Sequence, residues 1–266
     1  MKALLAWYGC VVVFSYGYLI RNALLGYFSR SIVDQLGAAV AVGAVALAVV
    51  WMVRFHRVMR ANRVAWACFG LAVVVALAGL ASVDPEFPAK RTHVAQYFVL
   101  AWLVFLAFKS EERLVARGLV ALLITTMLGG LDEMLQGAMA ERTFGIADIV
   151  TNFCGALAGV SVAVGGQLLR GQRLSWRYTD TADIAAPVAV AAGYFLSLVA
   201  LYPFRGLDFP LWLLLPVFGG LALLANESRS RELDIAVARA HLAFAAIAAT
   251  AAGGGAYVQV MGIRFI

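Results

Sequence analysis

The sequence predicts an all-α protein, a polytopic bundle of about nine transmembrane helices with its N-terminus in the cytoplasm. Three observations predict it. Of 266 residues, 63% are hydrophobic and only 14% are charged, whereas a soluble domain carries roughly 25% charged residues. Apolar runs recur that are long enough, at about 1.5 Å per helical residue, to cross a hydrocarbon core roughly 30 Å thick, and lipid offers the backbone no partners, so such runs must be helices. The formal net charge of +6 sits in short Arg and Lys clusters between the runs, which is the pattern of positive-inside topology and not of a nucleic-acid-binding domain.

The first span covers about 3–20. Lys2 precedes it as in a signal peptide, but no small-x-small cleavage site follows, and the run ends in Tyr16, Tyr18 and Arg21 as an uncleaved helix does. Leu24, Phe28, Ile32 and Leu36 then recur every four residues, as in a helix lying in the interface. A second span covers about 36–53. The segment RFHRVMRANR, 54–63, carries Arg54, Arg57, Arg60, Arg63 and His56 without an acid, which places it in the cytoplasm. Alternation then sets spans near 64–82, 94–108, 114–131, 146–168, 185–202, 209–225 and 240–260. This N-in, C-out map puts two-thirds of the 21 Lys and Arg residues inside. Pro216 is expected to kink the eighth span. Cys10, Cys68 and Cys154 all fall in apolar runs, with neither metal-ligand nor disulfide spacing. The chain divides into an N-terminal pair with its basic loop, 1–63, a central transmembrane domain, 64–170, and a three-span extension, 171–266.

Polar side chains accumulate in one stretch, 132–159, reading DEMLQGAMAERTFGIADIVTNFCGALAG. It is expected to begin outside the bilayer, turn at Thr143 to Gly145, and re-enter as a helix near Ile146. On that helix Asp148, Asn152, Gly155 and Gly159 follow i, i+4, i+7, i+11 and share one face. Asn152 lies a full turn inside the span, where an amide costs energy unless partnered or facing a wet cavity. Gly155 and Gly159 suit close helix packing. Glu133 and Gln136, three apart, are presented together. The planar fork of Arg142 suits a phosphate or a carboxylate, including Glu133 or Asp148, and Asp148 equally reads as a first-turn acid favoured by the helix macrodipole. Before the fourth span, DPEFPAKRTHVAQYFVLAWL supplies Lys90, Arg91, His93 and Tyr97. Lys90 and Arg91 read as phosphate ligands or as headgroup anchors, and Tyr97 as a site residue or as part of an interfacial aromatic belt. His93 is of the side-chain type whose unperturbed imidazole titrates near neutral pH and can exchange protons. On the alternating map both groups face the extracytoplasmic side.

The pattern K-x-x-H-x-x-x-Y in Lys90, His93 and Tyr97, E-x-x-Q in Glu133 and Gln136, and R-T-F-x-I-x-D-x-x-x-N-x-x-G-x-x-x-G from Arg142 to Gly159 resembles the VanZ-like family. The resemblance covers about 64–168 and leaves the first two and last three spans unmatched. The chain departs from the pattern at Ala89, where family members often carry an acid. The resemblance implies an integral membrane protein without an established biochemical activity, in a family named for a member linked to low-level resistance to the glycopeptide teicoplanin.

Two functions follow as expectations. In the first, the protein sits in the bacterial inner (cytoplasmic) membrane as a multi-pass protein and binds or processes an anionic lipid or lipid-linked envelope precursor. Lys90, Arg91 and Arg142 would hold phosphate, with Tyr97, Gln136 and Asn152 completing the binding site. Glu133 or Asp148 would serve as general base and His93 as acid. No metal motif is present and no cofactor is expected. In the second, the protein is a non-catalytic accessory or scaffold subunit of an envelope, export or glycopeptide-tolerance system, docking a membrane-protein partner through the stripe of Gly155 and Gly159. Transport has less support, because the charges gather at one surface and no repeat is visible.

Overall fold

The computed structural model describes residues 62–83, 88–108, 113–137, 144–174, 182–204, 215–230 and 235–260, with single positions elsewhere. Among these residues the chain is all-helical, with seven α-helices and no strand. The helices are α1, Arg63–Ala81; α2, Thr92–Ala107; α3, Leu114–Gly137; α4, Ile146–Leu169; α5, Ala182–Leu201; α6, Leu215–Ser230; and α7, Ile235–Val260. A 3-10 turn, Pro88–Arg91, leads into α2, and a second, Tyr202–Phe204, follows α5.

Three of the helices, α1, α3 and α4, are long and apolar enough to cross a membrane, where nine spans were expected. Other apolar helices among the described residues are shorter. The 16 residues of α2 reach only about 24 Å at about 1.5 Å each, because the basic 3-10 turn occupies the residues just before it. Shorter apolar stretches lie in α5, Pro187–Leu201, and in α6, Leu215–Asn226. The first two expected spans, the interfacial helix and most of the basic segment 54–63 lie outside the described residues. Pro216 does not kink a span. It stands in the first turn of α6, where a missing N–H leaves no intrahelical bond unmade; the proline inside a helix is Pro187, in α5.

The chain forms two compact units, residues 1–125 with 150–176 and residues 126–149 with 177–266. In the first unit, glycines set the directions of the helices. A methyl group on Gly165 would lie 3.0 Å from the Phe69 ring, and one on Gly79 would lie 2.7 Å from Cβ of Cys154. The start of α1 therefore meets the end of α4, and its end meets the start of α4, so the two run antiparallel. Asn62 fastens the first of these junctions. Its Oδ1 accepts from the Ala65 N–H at 3.1 Å as an N-cap, while its Nδ2 donates to the Leu168 carbonyl at 3.3 Å. Gly118 of α3 faces Val160 and Val164, so the first turns of α3 also pack on α4. By contrast, Gly155 meets Val94 and Tyr97, and Gly159 meets Phe98 and Ala101. Both rows advance by four residues in the same sense, so α2 and α4 run parallel and begin on the same side of the unit.

The end of α4 closes as a Schellman motif, with Gln172 N–H donating to Gln167 O and Gly171 N–H to Leu168 O, both at 3.1 Å. Gly171 takes the left-handed conformation this motif needs, φ +87°.

At the end of the unit that holds the starts of α1 and α3, Arg117 is buried in the first turns of α3. Its Nε donates to the Phe105 carbonyl at 2.6 Å, and its guanidinium carbon lies 3.9 Å from the centroid of the Phe105 ring. Sequence reading assigns this arginine to the inner-side charge that orients the chain. In the structure it also satisfies a carbonyl in the last turn of α2, where a cation complements the helix dipole.

In the second unit α5 packs on α6 through two close approaches, Gly193 against the Pro216 carbonyl and Gly220 against the Val190 backbone. The buried Tyr194 donates its hydroxyl to the Met127 carbonyl at 3.0 Å, and Gly130 leaves room for the Tyr194 ring and Leu198. Helix α7 packs on α5 and α6.

Candidate functional site

The sequence-selected polar residues fall into two groups, one in each unit. In the first unit the ends of α1, α2 and α4 meet around Val94. Its Cγ2 is 3.2 Å from where a methyl group on Gly79 would lie, and its carbonyl oxygen is 2.5 Å from where one on Gly155 would lie. Lys90 and Arg91 close the 3-10 turn just before α2 and are half-buried. His93, also half-buried, stacks on Tyr97 with ring centroids 6.1 Å apart and an interplanar angle of 17°. Tyr97 is completely buried, which removes it from any exposed aromatic belt. Asn152 is likewise completely buried, one turn above Gly155, and Thr151 beside it is 1% exposed.

Two hydroxyls that sequence reading passed over complete this junction. Ser82, the residue after α1, donates to the Gly79 carbonyl at 2.9 Å and shares a hydrogen bond of 3.1 Å with Thr151. Either hydroxyl can be the donor of the shared bond. The signal for Thr151 was present in the sequence as its position beside Asn152. Ser82 gave none, because its partner is 69 residues away.

In the second unit α3 does not stop at residue 131. It continues to Gly137, so Asp132, Glu133 and Gln136 stand on its last turns, Glu133 completely buried and Gln136 4% exposed. Gln136 Nε2 donates to Asp132 Oδ2 at 3.0 Å and to Glu133 Oε1 at 3.2 Å. The second Glu133 oxygen accepts from the Gly145 N–H at 3.4 Å. Acids at a helix C-terminus oppose its dipole. Here the amide of Gln136 and the N-terminal end of α4 offset that cost.

Helix α4 begins at Ile146, as the sequence indicated. Asp148 lies in its first turn, and a methyl group on Gly145 would sit 2.6 Å from Asp148 Oδ2. The backbone of Gly145 thus lies between two carboxylates. Arg142, the expected phosphate ligand, lies outside the described residues, as do Glu141, Asp84, Glu86 and Arg205. Among the described residues no three His, Cys, Asp or Glu side chains lie close enough to hold a metal ion.

The stripe of Gly155 and Gly159 is covered within this chain. A methyl group on Gly159 would run into the carbonyl oxygen of Phe98, just as one on Gly155 would meet that of Val94. Comparison with protein-family models, curated proteins and solved structures found no match to the chain.

Proposed function

We propose that the protein is a multi-pass protein of the bacterial cytoplasmic membrane, VanZ-like in its central part, that binds an anionic lipid or lipid-linked envelope precursor in the outer leaflet. On this reading the chain spans the membrane about nine times with its N-terminus inside. Lys90 and Arg91 hold the phosphate of the headgroup. The observation that carries the reading is the 3-10 turn Pro88–Arg91, whose Lys90 and Arg91 are half-buried, and which opens a helix whose next turn stacks His93 on the buried Tyr97. Charged groups beside a membrane-embedded polar junction bind by charge-assisted hydrogen bonds that water screens little. Polar side chains withdrawn into apolar helices, as Asn152 and Thr151 are, are costly to keep there and by default serve a ligand or a partner.

The test is native mass spectrometry of the gently solubilised full chain. Wild type should retain a phosphate-bearing lipid, and the double variant Lys90→Ala/Arg91→Ala should lose it. Equal retention by both would end the proposal.

A second reading, a non-catalytic subunit of an envelope assembly, is favoured by the second unit. There Gln136 and Gly145 of this same chain donate to the Glu133 carboxylate, as in a structural latch. It predicts that Asp148→Asn lowers detergent stability and partner pull-down together, with lipid retention unchanged.

A further inference from the structure

The connection that carries Lys90 and Arg91 is held at both ends by one helix, α4. At its start, Ser82 is bound to Thr151. Beyond its far end, Val94 is pressed against Gly155, and Tyr97 lies beside it. Thr151 and Gly155 are one turn apart on α4 and face the same way. The two holds differ in kind. Gly155 admits α2 by leaving out a side chain, so it limits how near the helix comes. Thr151 attracts the end of α1 through a directed bond between two hydroxyls.

We infer that Thr151 is a positioning residue: its hydroxyl, through Ser82, fixes where the α1–α2 connection begins on α4 and so where the basic turn presents Lys90 and Arg91 to an anionic headgroup. The inference rests on the headgroup reading above. It requires the hydroxyl and not the bulk of the side chain. Valine, which matches threonine in shape, should fail, and serine, which lacks the methyl group, should serve.

The experiment measures phosphatidylglycerol retained in preference to phosphatidylcholine by native mass spectrometry, on delipidated full-length protein incubated with each lipid. Wild type should prefer phosphatidylglycerol, and Lys90→Ala/Arg91→Ala should show no preference. Thr151→Val should lower the preference about threefold to fivefold, the scale of one hydrogen bond, while Thr151→Ser keeps it. A residue that merely fills space would give the reverse order, which would overturn the inference. Should Thr151→Val retain the full preference while the double variant loses it, the positioning role is wrong and the headgroup reading stands. If the double variant itself keeps the preference, the headgroup reading falls and takes this role with it. Where Thr151→Val does not fold, Ser82→Ala removes the same bond from the exposed side and is held to the same fold-change.

Discussion

At the scale of single residues, the side chains that matter most here do two kinds of work, and substitution should separate them. Gly155 and Gly145 both face an oxygen that a methyl group would meet, at 2.5 Å and 2.6 Å respectively. Behind Gly155 the oxygen belongs to the Val94 backbone, which cannot swing away. Behind Gly145 it is the tip of the Asp148 carboxylate, which can rotate. Gly155→Ala should therefore lower stability by about 1–3 kcal/mol as an overpacked contact does, and Gly145→Ala by clearly less, in thermal melts of the two variants in one detergent. A larger loss for Gly145→Ala would contradict this account of the helix contact. Arg117 makes the opposite case, a cation whose value lies in what it touches. Arg117→Ala should cost about 2–4 kcal/mol, from one charge-assisted hydrogen bond and one cation–π contact. Arg117→Lys should recover little, because an ammonium cannot donate in the plane of Phe105 and stack on its ring together.

At the scale of helices, ends are where the chain spends its polar residues. Asn62 caps α1 and reaches the Leu168 carbonyl near the end of α4. Asn62→Ala should lower stability by about 0.5–2 kcal/mol, and Asn62→Asp should restore the cap while losing the donor to Leu168. A restored cap with full stability would show that the Leu168 contact contributes nothing, read again from the melting curve. At the other end of the helices, Glu133 accepts from the N–H of Gly145 just before α4 begins. This explains why the last turns of α3 tolerate Asp132 and Glu133 against the dipole. The sequence showed Glu133 and Gln136 as neighbours three apart, and they are indeed joined directly. It did not show that α3 runs on beneath them to Gly137, because polar side chains in the last turns look like the start of a loop when no partner is visible.

At the scale of the whole molecule, the alternating map makes a claim that labelling can check. With Cys10, Cys68 and Cys154 replaced by serine, Tyr202→Cys at the end of α5 should react with a membrane-impermeant maleimide in intact cells. Leu174→Cys, beyond the end of α4, should react only after the membrane is opened. Both positions are exposed, and labelling of both from one side would exclude the alternation between them. Within the first unit, α1 runs against α4 and α2 runs with it. Composition and run length alone determined that the chain is helical and apolar enough for a membrane, because lipid leaves the backbone no other structure. Spacing on α4 alone put Asp148, Asn152, Gly155 and Gly159 on one face, because helical periodicity is local. Only the tertiary structure decided that this face is buried, that its glycines seat α2, that Thr151 holds Ser82 and that Arg117 is an inward cap. Each of these depends on a partner remote in the chain, and hydrogen bonding and close packing leave no periodic trace in the sequence that would name it.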